Sequence, residues 1–150
     1  MSFDVLLDAG PLGLVTQGHS KPDAEACRRW LANLAAQGHR IWVPAIADYE
    51  VRRELIRAGK VRGVERLDAL IRLTRYLAIT PKTLRLAARF WAEARSTGLP
   101  TAEAAALDAD MILAAQAARV ARGNRLVVVA TTNARHLAPF CDARSWASIS

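Results

Sequence analysis

Short runs of aliphatic residues alternate along the chain with stretches whose apolar positions recur every three to four residues, the pattern of strands and amphipathic helices in turn. Val5-Leu6-Leu7 predicts a first strand that ends at Asp8. Ala9-Gly10-Pro11 reads as a turn, with Pro11 opening a short helix through Thr16. A second helix starts at Ser20-Lys21-Pro22, runs to Gln37 and stops at Gly38. Ile41-Trp42-Val43 is the second strand, and Pro44 begins a helix that carries Ile46, Tyr49 and Glu50 to near Gly59. From Gly63 to Arg75 the helical period continues through Val64, Leu67, Leu70, Ile71 and Thr74. Tyr76 to Thr80 is a third strand, after which Thr80-Pro81 caps a helix with Leu84, Ala87, Ala88 and Trp91 that ends at Gly98. Leu99 to Ala106 reads as a loop with some helical character. Asp108 then caps a strongly apolar helix through Arg122. The unbroken run Leu126-Val127-Val128-Val129-Ala130 marks a strand covered on both faces, and a last short strand is expected over Ser145 to Ile149.

This alternation predicts one domain over residues 1–150, a three-layer α/β/α fold around a central parallel sheet of four to five strands. Ligands of open parallel sheets sit beyond the carboxyl ends of the strands. Asp8 and Thr131-Thr132-Asn133 fall at such ends. Glu50 lies on the helix after the second strand, and Asp110 in the first turn of the helix that leads into the buried strand. These positions converge only if the first and fourth strands are neighbours.

Composition narrows the reading. A chain of 150 residues with 52% hydrophobic content is long enough to bury a core and too apolar for disorder. No apolar run reaches the ~18–20 residues of a membrane span, and Met1-Ser2-Phe3-Asp4 is not the start of a signal peptide. Cys27 and Cys141 lie far apart without metal-binding spacing, so two free thiols in a reducing cytoplasm are expected. The net charge of +7 is almost wholly arginine. Guanidinium groups suit phosphate, which favours nucleic acid as partner; an acidic protein also suits the surface, and so does a set of merely solvated arginines.

Asp8, Glu50, Asp108 and Asp110 carry the chemistry. Two carboxylates ~4 Å apart repel by about 4 kcal/mol at an effective dielectric of ~20, so a cluster of them calls for a divalent cation. In a basic protein that points to phosphodiester hydrolysis.

The motifs around these acids resemble those of PIN-domain ribonucleases. Leu6-Leu7-Asp8-Ala9-Gly10-Pro11-Leu12 is similar to the family's first motif, commonly LLDTNVL. Glu50 falls where the family places its second acid. Asp110-Met111-Ile112-Leu113-Ala114-Ala115 resembles the D-x-x-I-A-A helix start, and Val128-Val129-Ala130-Thr131-Thr132-Asn133 the T-x-N that follows a buried strand. Four motifs in order span nearly the whole chain, and its size resembles the toxin half of VapC-type toxin–antitoxin pairs. The resemblance implies a Mg²⁺- or Mn²⁺-dependent endoribonuclease holding one or two ions, a small antitoxin partner and a homodimer. Asp8, Glu50 and Asp110 would be catalytic, with Asp8 and Asp110 as direct ligands and Glu50 a ligand or the orienter of attacking water. Asp108 would be an outer or second-site ligand, and Thr131 and Asn133 would hold the carboxylates in place. Arg53 and Arg57 would guide the RNA backbone.

The chain departs from the family pattern twice. Ala9-Gly10 stands where a hydroxyl residue and Asn usually follow the first acid, and His136 stands where N-x-x-D-F would supply a fourth acid. Competing readings remain for individual residues: Asp108 as a plain N-cap, Glu50 paired with Arg53, the arginine stripes as solvated helix faces, Trp42, Trp91 and Trp146 as core. For the whole chain the alternative is a non-catalytic RNA-binding or interaction module on the same scaffold. A phosphatase is disfavoured by the lack of a DxD or a glycine-rich phosphate loop.

Overall fold

The computed structural model describes residues 2–18, 21–98 and 104–150. Five parallel strands, β1 (Asp4–Leu7), β2 (Arg40–Pro44), β3 (Arg75–Leu77), β4 (Val127–Thr131) and β5 (Ala143–Ser145), form one sheet in the order β3-β2-β1-β4-β5. Strands β1 and β4 are neighbours, with Leu6 opposite Val129 and Leu7 opposite Ala130. The chain therefore reverses its order of strand addition at β1, and the crevice between the ends of β1 and β4 is the switch point where ligands bind in such sheets.

Alternation along the strands builds the layers. Val5 and Leu7 face one side of the sheet, with Leu12 and Val15 of α1 (Ala9–Thr16), Cys27, Leu31 and Leu34 of α2 (Pro22–Ala36), Val51 of α3 (Ala45–Arg57) and Leu67 of α4 (Val61–Leu73). Leu6 and Val129 face the other, against Leu113, Ala114 and Ala117 of α6 (Ala104–Val120). Helix α5 (Pro81–Ser96) then packs Ala87 and Ala94 onto Leu107, Met111 and Ala115 of α6. Every residue of β1 is buried, as expected of a central parallel strand.

Several expectations are corrected. No turn follows Asp8: α1 begins at Ala9, and Asp8 is its N-cap. Gly10 permits this, because a Cβ there would lie 2.6 Å from Cγ2 and Oγ1 of Thr132. The third strand stops at Leu77. At the C-terminus the strand is Ala143–Ser145, and Trp146–Ser148 form a 3₁₀ turn that drops Ile149 into the core. Asp108 does not cap a helix, since α6 already includes Ala104, and Asp110 lies beyond its first turn. Residues 99–103 of the expected loop, and Ser20 of the expected helix start, lie outside the described residues. Leu67 is fully buried, with Leu70 and Ile71 partly buried beside it. Trp91 is a surface residue with the Arg95 guanidinium over its ring. Trp146 meets Trp30 edge-on at the border of the core.

Candidate active site

Asp8 leaves β1 with its carboxylate fixed on both oxygens. The Ala9 N–H donates to Oδ1 at 2.7 Å, and the Thr131 hydroxyl, from the end of β4, donates to Oδ2 at 2.7 Å. Thr131 in turn accepts the Asn133 N–H at 3.1 Å, which leaves its own proton for Asp8. The hydroxyl absent after Asp8 in the sequence is thus supplied from the neighbouring strand. Asn133 acts one step back: its side chain accepts the Arg135 N–H and shapes the turn after β4.

Glu50 comes from α3 and Asp110 from α6. Both lie within electrostatic reach of Asp8. Burial, then the charge of Asp8, push the Glu50 carboxyl up to about 7; Arg53 pulls it down and Asp110 adds to the rise. Burial and Asp8 likewise push Asp110 to about 6, against the opposing pull of His136, whose Nδ1 stands 3.6 Å from Asp110 Oδ2. Burial also raises Asp8, opposed by the hydrogen bonds from Thr131 and Ala9. The three carboxyls therefore titrate as a coupled unit. Asp108 does not join them. Two residues apart on a helix means about 200° around the axis, and Asp108 is exposed while Asp110 turns inward.

Two participants were not foreseen from the sequence. Gln116, buried one and a half turns after Asp110, accepts the Ile46 N–H at 3.4 Å and donates to the carbonyls of Leu77 and Ala78. It caps the start of α3, whose N-cap Pro44 offers no side-chain bond, and so ties the helix of Glu50 to the helix of Asp110. Cys141 is the other: its thiol sits close enough to Asp142, Asp8 and Asp110 that burial and their charges push it up to about 12. It stays protonated and is no nucleophile. Both cysteines are free, as expected.

A model of the PIN domain matches residues 5–138. The chain belongs to the PIN-domain family. The fold of this PIN domain is also that of chains in three solved VapBC complexes. One, from Rickettsia felis, was solved bound to a DNA fragment from the complex's own promoter, with a TM-score of 0.71 at 14% identity over 95% of this chain and 98% of the other. A DNA-bound complex from Salmonella typhimurium gives 0.66 at 18% identity, covering 96% and 98%. VapBC-1 of nontypeable Haemophilus influenzae gives 0.69 at 12%, covering 97% and 99%. No curated protein matches the sequence of this PIN domain.

The carboxylates of this PIN domain fit a divalent cation in chemistry. The donors are oxygens, and Glu50 and Asp110 are both held above their ordinary pKa by burial and by the charge of Asp8, a cost that a bound cation offsets. Among the described residues no three His, Cys, Asp or Glu side chains form a ready-made cage.

Two predictions arise here. Glu50 and Asp110 hold their protons more tightly in the folded than in the unfolded chain. Their contribution to metal-free stability is therefore fully present below the unfolded values of 4.5 and 3.8 and is lost as pH rises through about 7 and 6. With both groups partly exposed, the loss between pH 5 and 7.5 is expected to be roughly 1–2 kcal/mol, a few degrees in Tm. Thermal unfolding in chelator reads it; Glu50→Gln should flatten the profile, and Mn²⁺ should restore stability more at pH 7.5 than at pH 5. An unchanged Tm across that range would contradict the coupling. Second, Gln116→Leu leaves the Ile46 N–H and two carbonyls without their partner, at a cost of about 1–3 kcal/mol. Activity should fall beyond what the lower Tm explains, because α3 and α6 lose their tie.

Proposed function

We propose that the protein is a metal-dependent endoribonuclease, the toxin component of a toxin–antitoxin pair. The observation that carries this reading is the convergence of Asp8, Glu50 and Asp110 on the switch point, with Glu50 and Asp110 held well above the carboxylate range. Asp8, Asp110 and Glu50 would hold Mg²⁺ or Mn²⁺, which when bound neutralises the cluster and stabilises charge on the scissile phosphate. Asp8, locked by Thr131 and Ala9, would position the ion's side of the site. Glu50 would serve as a further ligand or as the group that orients the attacking water.

The substrate path in this reading is the groove that starts at Glu50. A cavity of about 930 Å³ runs between α1, α3 and α4, with Arg53, Arg57, Lys60, Arg62 and Arg66 on its walls. Arg57 is paired with Glu54, whereas Arg53 makes no ion pair among the described residues and stacks over Tyr49. Arg53 is therefore the stronger RNA contact of the two. Affinity for single-stranded RNA should fall with salt at a log–log slope of about −0.7 per phosphate neutralised, and Arg53→Ala should reduce that slope by about 0.7, Arg57→Ala by less.

The partners follow from the likeness to VapBC complexes: a small antitoxin, which would present a cationic side chain to the carboxylates, and a second copy of the chain. No described helix is long and apolar enough to cross a membrane, in keeping with a cytoplasmic site of action. The test is cleavage of an RNA pool with Mg²⁺ or Mn²⁺ against an EDTA control. Metal-dependent products support the reading. RNA binding without cleavage by folded, antitoxin-free protein would favour the non-catalytic module, with His136 in place of an acid as its cause.

A further inference from the structure

On the α5–α6 side of the sheet, beside the edge strand β3, lies a second cavity of about 530 Å³ that contains none of Asp8, Glu50 and Asp110. Arg40 at the start of β2, Arg75 at the start of β3 and Arg119 near the end of α6 line it, and no Asp or Glu does. Asp4, behind the wall, is shared by Arg40 and Arg125, so that trio keeps one positive charge. Arg75 and Arg119 make no ion pair among the described residues.

Trp42 supplies an independent observation. Trp42 lines the same cavity with its ring under Arg75, 5.6 Å from the guanidinium, and its indole N–H is buried without an acceptor. A buried donor without a partner calls for an unseen acceptor. The Gln116 amide, also in the wall, is fully used by Ile46, Leu77 and Ala78. Guanidinium and indole groups only donate, so the cavity offers converging donors and net positive charge. Phosphate is the complement: acceptor oxygens, negative charge, and a shape that the guanidinium fork matches. The volume is that of a nucleotide-sized ligand.

We propose that this cavity is a second, non-catalytic binding site for a phosphate-bearing ligand, held by Arg75, Arg119 and the Trp42 N–H. The phosphate can come from a free nucleotide or from the backbone of an RNA strand, and the two are separable. Calorimetric titration of the full-length Asp8→Asn protein, which does not consume RNA in the reading above, would use inorganic phosphate, a 5′-mononucleotide and a ten-nucleotide RNA as probes.

Arg75→Ala and Arg119→Ala, on that background, should each weaken mononucleotide binding at least about tenfold, and Trp42→Phe, which keeps a ring and loses the N–H, should weaken it measurably. If the source is an RNA strand, the same arginine variants instead lower the salt slope for RNA by about 0.7 each. Arg119→Lys replaces Arg119→Ala if the latter unfolds. Binding of all three probes that is absent, or unaltered in folded variants, overturns the proposal. Because Asp8→Asn is the common background, loss of nuclease activity cannot be confused with failure of this site.

Discussion

Asp8→Asn is expected to lower RNA hydrolysis about 10³-fold, some 4 kcal/mol of barrier, and to leave the fold intact. Asp8 does two jobs that this substitution separates. As the N-cap of α1 it accepts the Ala9 N–H, and Asn caps a helix as well as Asp does. The amide oxygen can keep that bond while the Thr131 hydroxyl turns to accept from the amide nitrogen. What disappears is the charge that Glu50 and Asp110 both feel. Metal-free Asp8→Asn should therefore be as stable as the parent or slightly more so at neutral pH, and the two raised carboxyls should move back toward their ordinary range. Rate measurements with Mg²⁺ or Mn²⁺, beside thermal unfolding in chelator, read both halves. An active Asp8→Asn, or an inactive one that has simply unfolded, would sink the assignment of Asp8 as the central ligand.

The largest loss of stability is expected at the other end of β1. Asp4 is buried, its side chain 1% exposed, and it accepts from Arg40 Nε at 2.7 Å, Arg40 Nη2 at 2.9 Å and Arg125 Nε at 2.7 Å. Burial alone would raise its pKa; the two guanidiniums outweigh that and hold it below the usual carboxylate value. The trio pins the first residues of β1 and β2 to the loop before β4. Asp4→Asn leaves two guanidiniums facing each other without the charge between them, and about 3 kcal/mol should be lost, roughly 6–12 °C in Tm for a domain of this size. The contribution is fully present above the unfolded Asp value and vanishes only as pH falls through the lowered folded one. By contrast, removal of the exposed Asp142–Arg144 pair should cost well under 1 kcal/mol. A difference below 1 kcal/mol between the two substitutions in urea unfolding would contradict this account.

Much of the architecture was legible in sequence because β1, β2 and β4 are unbroken apolar runs, and a strand covered on both faces has little other way to be written. Asp8 was easy to single out because it stands at the end of a buried strand. Glu50 and Asp110 each lie more than a turn inside a helix and were singled out by their order in the motifs. What escaped was set by contacts between distant residues. Ser145 to Ile149 has the apolar and β-prone residues of a strand, yet Trp146 is drawn against Trp30, whose indole N–H donates to the Ile149 carbonyl at 2.8 Å, and the backbone winds into a 3₁₀ turn instead. Asp108 looked like a ligand because sequence proximity to Asp110 hides the helical rotation between them. Gln116 resembled any polar interruption of an apolar helix until its three partners, more than 35 residues away, were in view. Gly10 looked like a departure from the family's Asn; in space it is the gap into which Thr132 fits.

The bond from Thr131 to Asp8 joins residues 123 apart, and this sets when the protein can act. During synthesis β1, β2 and β3 leave the ribosome first, but β1 is flanked on one side only until β4 has emerged. Pairings of such sequence separation form late and slowly, and chains grow by about 5–20 residues per second. Asp8 therefore stays without its Thr131 anchor until β4 has been translated and has paired with β1. On the function proposed above, the nascent polypeptide would spare the messenger that encodes it until β4 has joined β1.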